Sequence, residues 1–248
     1  MRESLGHDLV RAHTVYSCVT GLRAFGLATE AGGDDVRGVY VAPAPLFWRF
    51  DKPPTQVSGP RAEEFSWEIE RFCSLALRAN PPVLECLHSP LVERLDATGR
   101  ELLGLRDAFL SRRVEAGFRG HAARHLGRIE ADIRSHGEPH WMHATHLLRL
   151  LISCRDLLRT GTLAVHVGDR RDDLLAVRRG ERGWEEVRGW IRTLHEETAA
   201  AAARTPLPEE PDRARVEDFL VRVRRASAGP AQVPVPAAGT AHRLPGSP

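Results

Sequence analysis

The apolar positions divide the chain into a part that mixes strand and helix periods and a part that is helical throughout. Residues 3–12 read as a short helix. His13 to Thr20 (HTVYSCVT) is a β-branched and aromatic run of strand length. Gly21 follows it directly and opens a second short helix. A Gly-rich loop then delivers Asp34 and Asp35 onto another strand, Val36 to Val41. Residues 42–60 are rich in proline and aromatics and read as a loop with a short strand at 56–58; a loop of this kind over a site can contact substrate, and the plainer reading is that its aromatics cover the sheet edge. From Phe65 on, apolar residues at 65, 69, 72, 73 and 76 predict a helix stripe facing the sheet, which Asn80-Pro81-Pro82 ends. From Ser89 the composition turns helical. One or two helices are expected in 91–111, a long amphipathic one over 112–135, and another over 139–159 closed by Gly161. Thr162 to Val167 reads as a short strand or extended link, and helices return over 182–204 and 212–226. From Ala226 the Ala, Pro and Gly content rises and periodicity vanishes, which predicts a disordered tail. The expected organisation is 1–90, 91–225 and a 226–248 tail.

Composition narrows this picture. A hydrophobic content of 42% over 248 residues is enough for a sizeable core. The net charge of +2 gives no general case for nucleic-acid binding. Lys52 is the sole lysine; all other basic side chains apart from histidine are arginine. Cys18, Cys73, Cys86 and Cys154 are scattered with no C-x-x-C, as expected of reduced core cysteines in a cytoplasmic protein. Met1 to His13 is too charged for a signal peptide, and no apolar run approaches the roughly 20 residues of a membrane span.

Two local patterns carry chemistry. A strand, then Gly21, then a helix start presents free backbone N–H groups where phosphate can sit. On the following strand, alternation puts Asp35, Arg37 and Val39 on one face and Asp34, Val36 and Gly38 on the other. Histidines are frequent in the helical part. His121 with His125, and His143 with His146, have spacings that can ligate metal, but no H-E-x-x-H pattern accompanies them.

The stretch Gly21 to Pro43 (GLRAFGLATEAGGDDVRGVYVAP) resembles the signature of nucleotidyltransferases of the DNA polymerase beta superfamily, in the branch tied to RNA repair and RNA ligase operons. Gly21, Arg23, Ala24, Gly26, Leu27, Ala28, Thr29, Asp35, Arg37, Gly38, Val39 and Tyr40 match. Leu22 stands where the pattern has Ser, and Gly33 where it has the first Asp of an Asp-x-Asp pair. Further motifs follow in order: Ser66 to Phe72, Asn80 to Leu87 (NPPVLECL), Met142 to Leu151 with His146 and Arg149, Asp172 to Gly180, and Pro206 to Asp212. Met142 replaces a family lysine. The resemblance covers about residues 14–225.

It implies an α+β fold, a small mixed β-sheet core like that of polymerase beta followed by a helical C-terminal half. It implies metal-dependent transfer of a nucleoside monophosphate from a nucleoside triphosphate to a hydroxyl acceptor, RNA among the candidates, with Mg2+ or Mn2+. Asp35 would hold the metal, with Glu63 as second ligand and Asp34 as a substitute for the missing acid. Glu63 is the register match for a third family acid; a solvated Glu63–Glu64 pair at a helix start is the plainer reading. Gly21 with the N–H groups of Leu22 and Arg23 would cradle phosphate, and Arg37 or Arg149 would neutralise charge. Arg178 or Arg179 would face the cleft; for at least one of them a basic helix end balancing its dipole is the plainer reading. The partners implied are a nucleotide, RNA or an RNA-ligase-type protein, and no membrane. The replacements at 22, 33 and 142 keep a second reading open, an inactive member that binds a nucleotide or a partner. A third is an RNA-binding module using arginines at 112–134, against which the small net charge argues.

Overall fold

The structure, a computed structural model, describes residues 2–29 and 34–229. Helix α1 (Arg2–His13) leads into strand β1 (Thr14–Thr20) and the four-residue helix α2 (Gly21–Ala24). Strand β2 (Asp35–Tyr40), a 3₁₀ turn at Ala44–Trp48, and strands β3 (Gln56–Ser58) and β4 (Glu64–Glu68) follow. Next come α3 (Ile69–Ala76), α4 (Pro81–Leu87), strand β5 (Val92–Leu95) and α5 (Ala97–Leu103). The helical half holds α6 (Arg113–His136), α7 (Trp141–Thr160), α8 (Arg171–Arg178), α9 (Trp184–Ala202) and α10 (Arg213–Ala226). The α+β reading of a small mixed sheet followed by a helical half is therefore borne out.

The five-stranded sheet has the order β3-β4-β2-β1-β5. β2 is antiparallel to β1 and parallel to β4. The parallel pair needs a crossover, and the 3₁₀ turn with β3 supplies it. One core cluster runs from Val15 to Val223, so sheet and helices pack as one body; a smaller cluster of Leu9, Tyr40, Ala42, Leu46 and Val57 lies under α1. The four cysteines are buried and free. No helix among the described residues is long and apolar enough to cross a membrane.

Three local expectations need correction. Glu64–Glu68 is a strand, not the start of the helix that 65, 69, 72, 73 and 76 suggested; α3 begins only at Ile69. Phe65 and Trp67 alternate with Ser66 on the sheet, and parallel pairing to β2 outweighs the helical period. Asn80 does not end that helix but N-caps the next, its side chain accepting from Val83 N–H with Pro81 in the first turn. Val92–Leu95 is an edge strand on β1 within a stretch read as helical; its first three residues are exposed, so it shows no buried face to read. The tail expected from Ala226 lies from residue 230 outside the described residues.

Candidate functional site

β1 ends at Thr20 in register with Asp35, the first residue of β2. The Thr20 hydroxyl donates to the Asp35 carbonyl at 3.1 Å and ties the two strand ends together. Between them the chain turns through Gly21 at φ +68°, a left-handed conformation that suits glycine. The absence of a side chain has a second use: a Cβ on Gly21 would lie 2.1 Å from Asp35 Oδ2. The Asp35 carboxyl thus rests on the bare Cα of the turn and is still 43% exposed.

Asp35, Arg37 and Val39 share a face with Thr20, Cys18 and Tyr16, their partners on β1. Arg37 Nη2 stands 3.6 Å from Asp35 Oδ1, and Arg37 Nη1 donates to the Glu63 carbonyl at 2.6 Å. Val36 N–H donates to that same carbonyl at 3.0 Å, so Glu63 precedes β4 as Asp35 opens β2, neighbours across the parallel pair. Glu64 belongs to the other face: it pairs in register with Val36, lies against Gly59 and holds Arg61 at 2.5 Å. Asp34 is engaged elsewhere too, as the ion-pair partner of Arg23, whose guanidinium the carboxylate keeps above its ordinary range. Gly33 and the Gly32-Gly33 turn that would re-aim Asp34 lie outside the described residues.

Arg149 lies apart from this group. Its Nη1 donates to Glu85 at 2.7 Å, both side chains being buried, and its guanidinium carbon sits 3.7 Å above the Phe25 ring. This contact links the Asn80–Leu87 and Met142–Leu151 motifs. It is also one of four that fasten the segment just after α2. Val167 N–H donates to Phe25 C=O at 3.0 Å, Arg171 Nε to Gly26 C=O at 2.9 Å, and Arg178 Nη1 to Leu27 C=O at 2.9 Å. Three successive carbonyls are thus each bonded, one by a backbone N–H and two by guanidinium groups, whose positive charge complements the negative end of a short helix. Gly26 turns at φ +75°, and a Cβ there would lie 2.2 Å from His166 Nε2. Leu22, where the pattern has serine, is half-buried against the core. Of the two arginines in the Asp172–Gly180 motif, Arg178 reaches this segment and Arg179 pairs with Glu181.

Glu85, Arg171 and Val167 were missed from sequence. A signal existed for Glu85: a lone carboxylate among the apolar residues of PPVLECL must find a buried partner. The histidines form no metal cluster among the described residues. His143 Nδ1 pairs with Asp132 at 2.9 Å, and His125 stacks on His146 with ring centroids 6.0 Å apart. Burial and the positive charge of neighbouring arginines, Arg128 beside His125 and Arg149 beside His146, push both imidazoles down to about 4.

Mg2+ keeps several waters and takes one or two carboxylates together with substrate phosphates. Asp35 opens β2 and Glu63 directly precedes β4, so these are the carboxylates at adjacent strand starts that such an ion would take. Among the described residues no group of three or more His, Cys, Asp or Glu side chains is arranged to hold a metal ion.

A family model described as the RNA repair pathway DNA polymerase beta family matches residues 6–222. Searches of curated proteins and of solved structures returned no match.

Proposed function

The chain belongs to the RNA repair pathway DNA polymerase beta family, and on that premise we propose that it transfers a nucleotidyl group from a nucleoside triphosphate to a hydroxyl acceptor. The observation that carries the reading is the convergence of Asp35 on the Gly21 turn, with Glu63 beside it across the parallel strands. Asp35 and Glu63 hold the divalent ion. When bound, that ion supplies charge neutralisation on the phosphates and lowers the pKa of an attacking hydroxyl. The N–H groups of Leu22 and Arg23 face the phosphates. Arg37, already 3.6 Å from Asp35, orients that carboxylate and adds positive charge. Arg149, paired with Glu85 and stacked on Phe25, buttresses the segment after α2.

Calorimetric titration of ATP, GTP, CTP and UTP with Mg2+ or Mn2+ tests this on the wild type and on Asp35→Ala. Metal-dependent binding that Asp35→Ala abolishes, followed by transfer of a labelled nucleotide to RNA, supports the reading. Absence of binding by all four triphosphates sinks it. A second reading is a member that binds nucleotide without turnover. The Arg23–Asp34 pair favours it, because the acid nearest the missing one is already neutralised. Binding without transfer in the same experiment would select that reading.

A further inference from the structure

The largest unexplained exposure lies at the opposite end of β2 from Asp35. After Tyr40 the chain enters the Ala44–Trp48 turn, whose Ala44 and Leu46 are buried. Trp48 then stands 72% exposed, and Phe50 is fully exposed. Arg49 and Lys52, both exposed, flank them, so 48–52 reads aromatic, cation, aromatic, Asp51, cation. The expectation that these aromatics cover the sheet edge holds only for Phe47, which is half-buried against the small core cluster.

The segment is braced from behind. The Arg224 guanidinium carbon lies 4.3 Å from the Phe47 ring centroid, and Arg224 bridges to Glu68 at 2.7 Å. Ala44 N–H donates to Ser227 C=O at 3.2 Å, and Lys52 Nζ donates to Phe47 C=O. Two large aromatic side chains in water contribute little to folding, and these are held on a fixed support. Alternating exposed aromatics and cations match a single strand of nucleic acid, whose bases stack on the rings while the cations meet the phosphates. Charge complementarity favours the nucleic acid, because Arg49 and Lys52 interleave with the rings as phosphates interleave with bases along a strand.

We propose that Trp48 and Phe50, with Arg49 and Lys52, form a stacking platform for single-stranded RNA, separate from the Asp35 end of the sheet. β2 carries the chain five steps from Asp35 to Tyr40, about 17 Å at strand rise, before the turn that leads to the platform. A strand held on the platform would present a neighbouring stretch to the candidate site. The binding itself does not depend on the transfer reading, so the two can fail independently.

The test is fluorescence anisotropy of a labelled 12-nucleotide oligouridine at low and moderate salt, on the wild type, Trp48→Ala, Phe50→Ala, the double variant and Trp48→Phe. Both side chains are exposed, so circular dichroism melts should coincide with wild type. Each alanine variant is expected to weaken binding about tenfold, the double variant more, and Trp48→Phe to retain most of it. Asp35→Ala is expected to bind the oligomer as the wild type does. Equal affinity in wild type and double variant overturns the proposal, as does equal affinity for a fully paired duplex of the same length. So does absence of oligomer binding with capture by anionic phospholipid vesicles instead.

Discussion

Glu85→Gln isolates a buried charge without opening a cavity. Glu85 and Arg149 are 8% and 7% exposed at the side chain, with Nη1 2.7 Å from Oε1. At an effective dielectric constant of about 20, two unit charges at that distance attract by roughly 6 kcal/mol, and the desolvation of both ions offsets most of it. The net worth of the pair is therefore small, but the cost of breaking one side is not. With glutamine the guanidinium keeps one oxygen to bond and loses its counter-charge. Its Nε has no hydrogen-bond partner among the described residues, and Phe25 offers only a ring face. We expect a loss of about 3 kcal/mol, the lower end for a broken buried pair. For a chain of this size that is a fall in Tm of roughly 6–12 °C. Replacing both residues, Glu85→Leu with Arg149→Met, removes both charges and should return to within about 1 kcal/mol of the better single variant or exceed it. Urea denaturation of wild type, both single replacements and the pair closes a double-mutant cycle, with Glu85→Gln as the isosteric control. A Glu85→Gln loss under about 0.5 kcal/mol, or single effects that simply add, would refute the reasoning.

The other predictions concern the turns, their clamp and pH. Gly21→Ala puts a Cβ into the Asp35 carboxyl at a left-handed φ, so it should cost about 1–3 kcal/mol in a urea melt and abolish nucleotide binding. Asp35→Ala in the same chain should recover part of the stability, and additivity of the two would count against the contact. Arg178→Ala removes the bond to Leu27 C=O and should cost about 1 kcal/mol, with faster amide hydrogen exchange concentrated at residues 21–29. His88, His125 and His146 are pushed down to about 4, chiefly by burial, whereas the unfolded chain takes up these protons near 6.5. Stability should be full above about pH 6.5 and fall as pH drops toward 4, by up to about 1.4 kcal/mol per pH unit for each group. His146→Gln should flatten that slope in pH-dependent urea melts; an unchanged slope would remove His146 from the account.

Much of the sheet half was legible because its signals are local. The β1 run stops at a glycine, and strand alternation alone assigns Asp35 and Arg37 to one face. The same alternation, once β4 is paired to β2, separates Glu63 from Glu64. Long helices were legible from period and cap, as with Gly161 at φ +75° after α7. What was not legible is long in sequence separation. Glu85 meets Arg149 across 64 residues, and Arg178 meets Leu27 across 151. Neither contact leaves a periodic trace. The exposed strand β5 shows why edge pairing is hard to read: with Val92, Glu93 and Arg94 all in water, no hydrophobic alternation records the ladder.

The clamp on Phe25, Gly26 and Leu27 bears on how this protein can be divided. A gene cut after the last strand would encode every residue of the sheet and both acids, yet leave three carbonyls behind α2 without Val167, Arg171 and Arg178. It would also strand Glu85 without Arg149. Such a fragment is a self-contained half in the linear map only. Supplying the missing helices as a separate chain should restore the turn, so the useful unit for complementation or domain grafting runs from α1 through α8 at the least, because the signature loop leans on helices more than a hundred residues away.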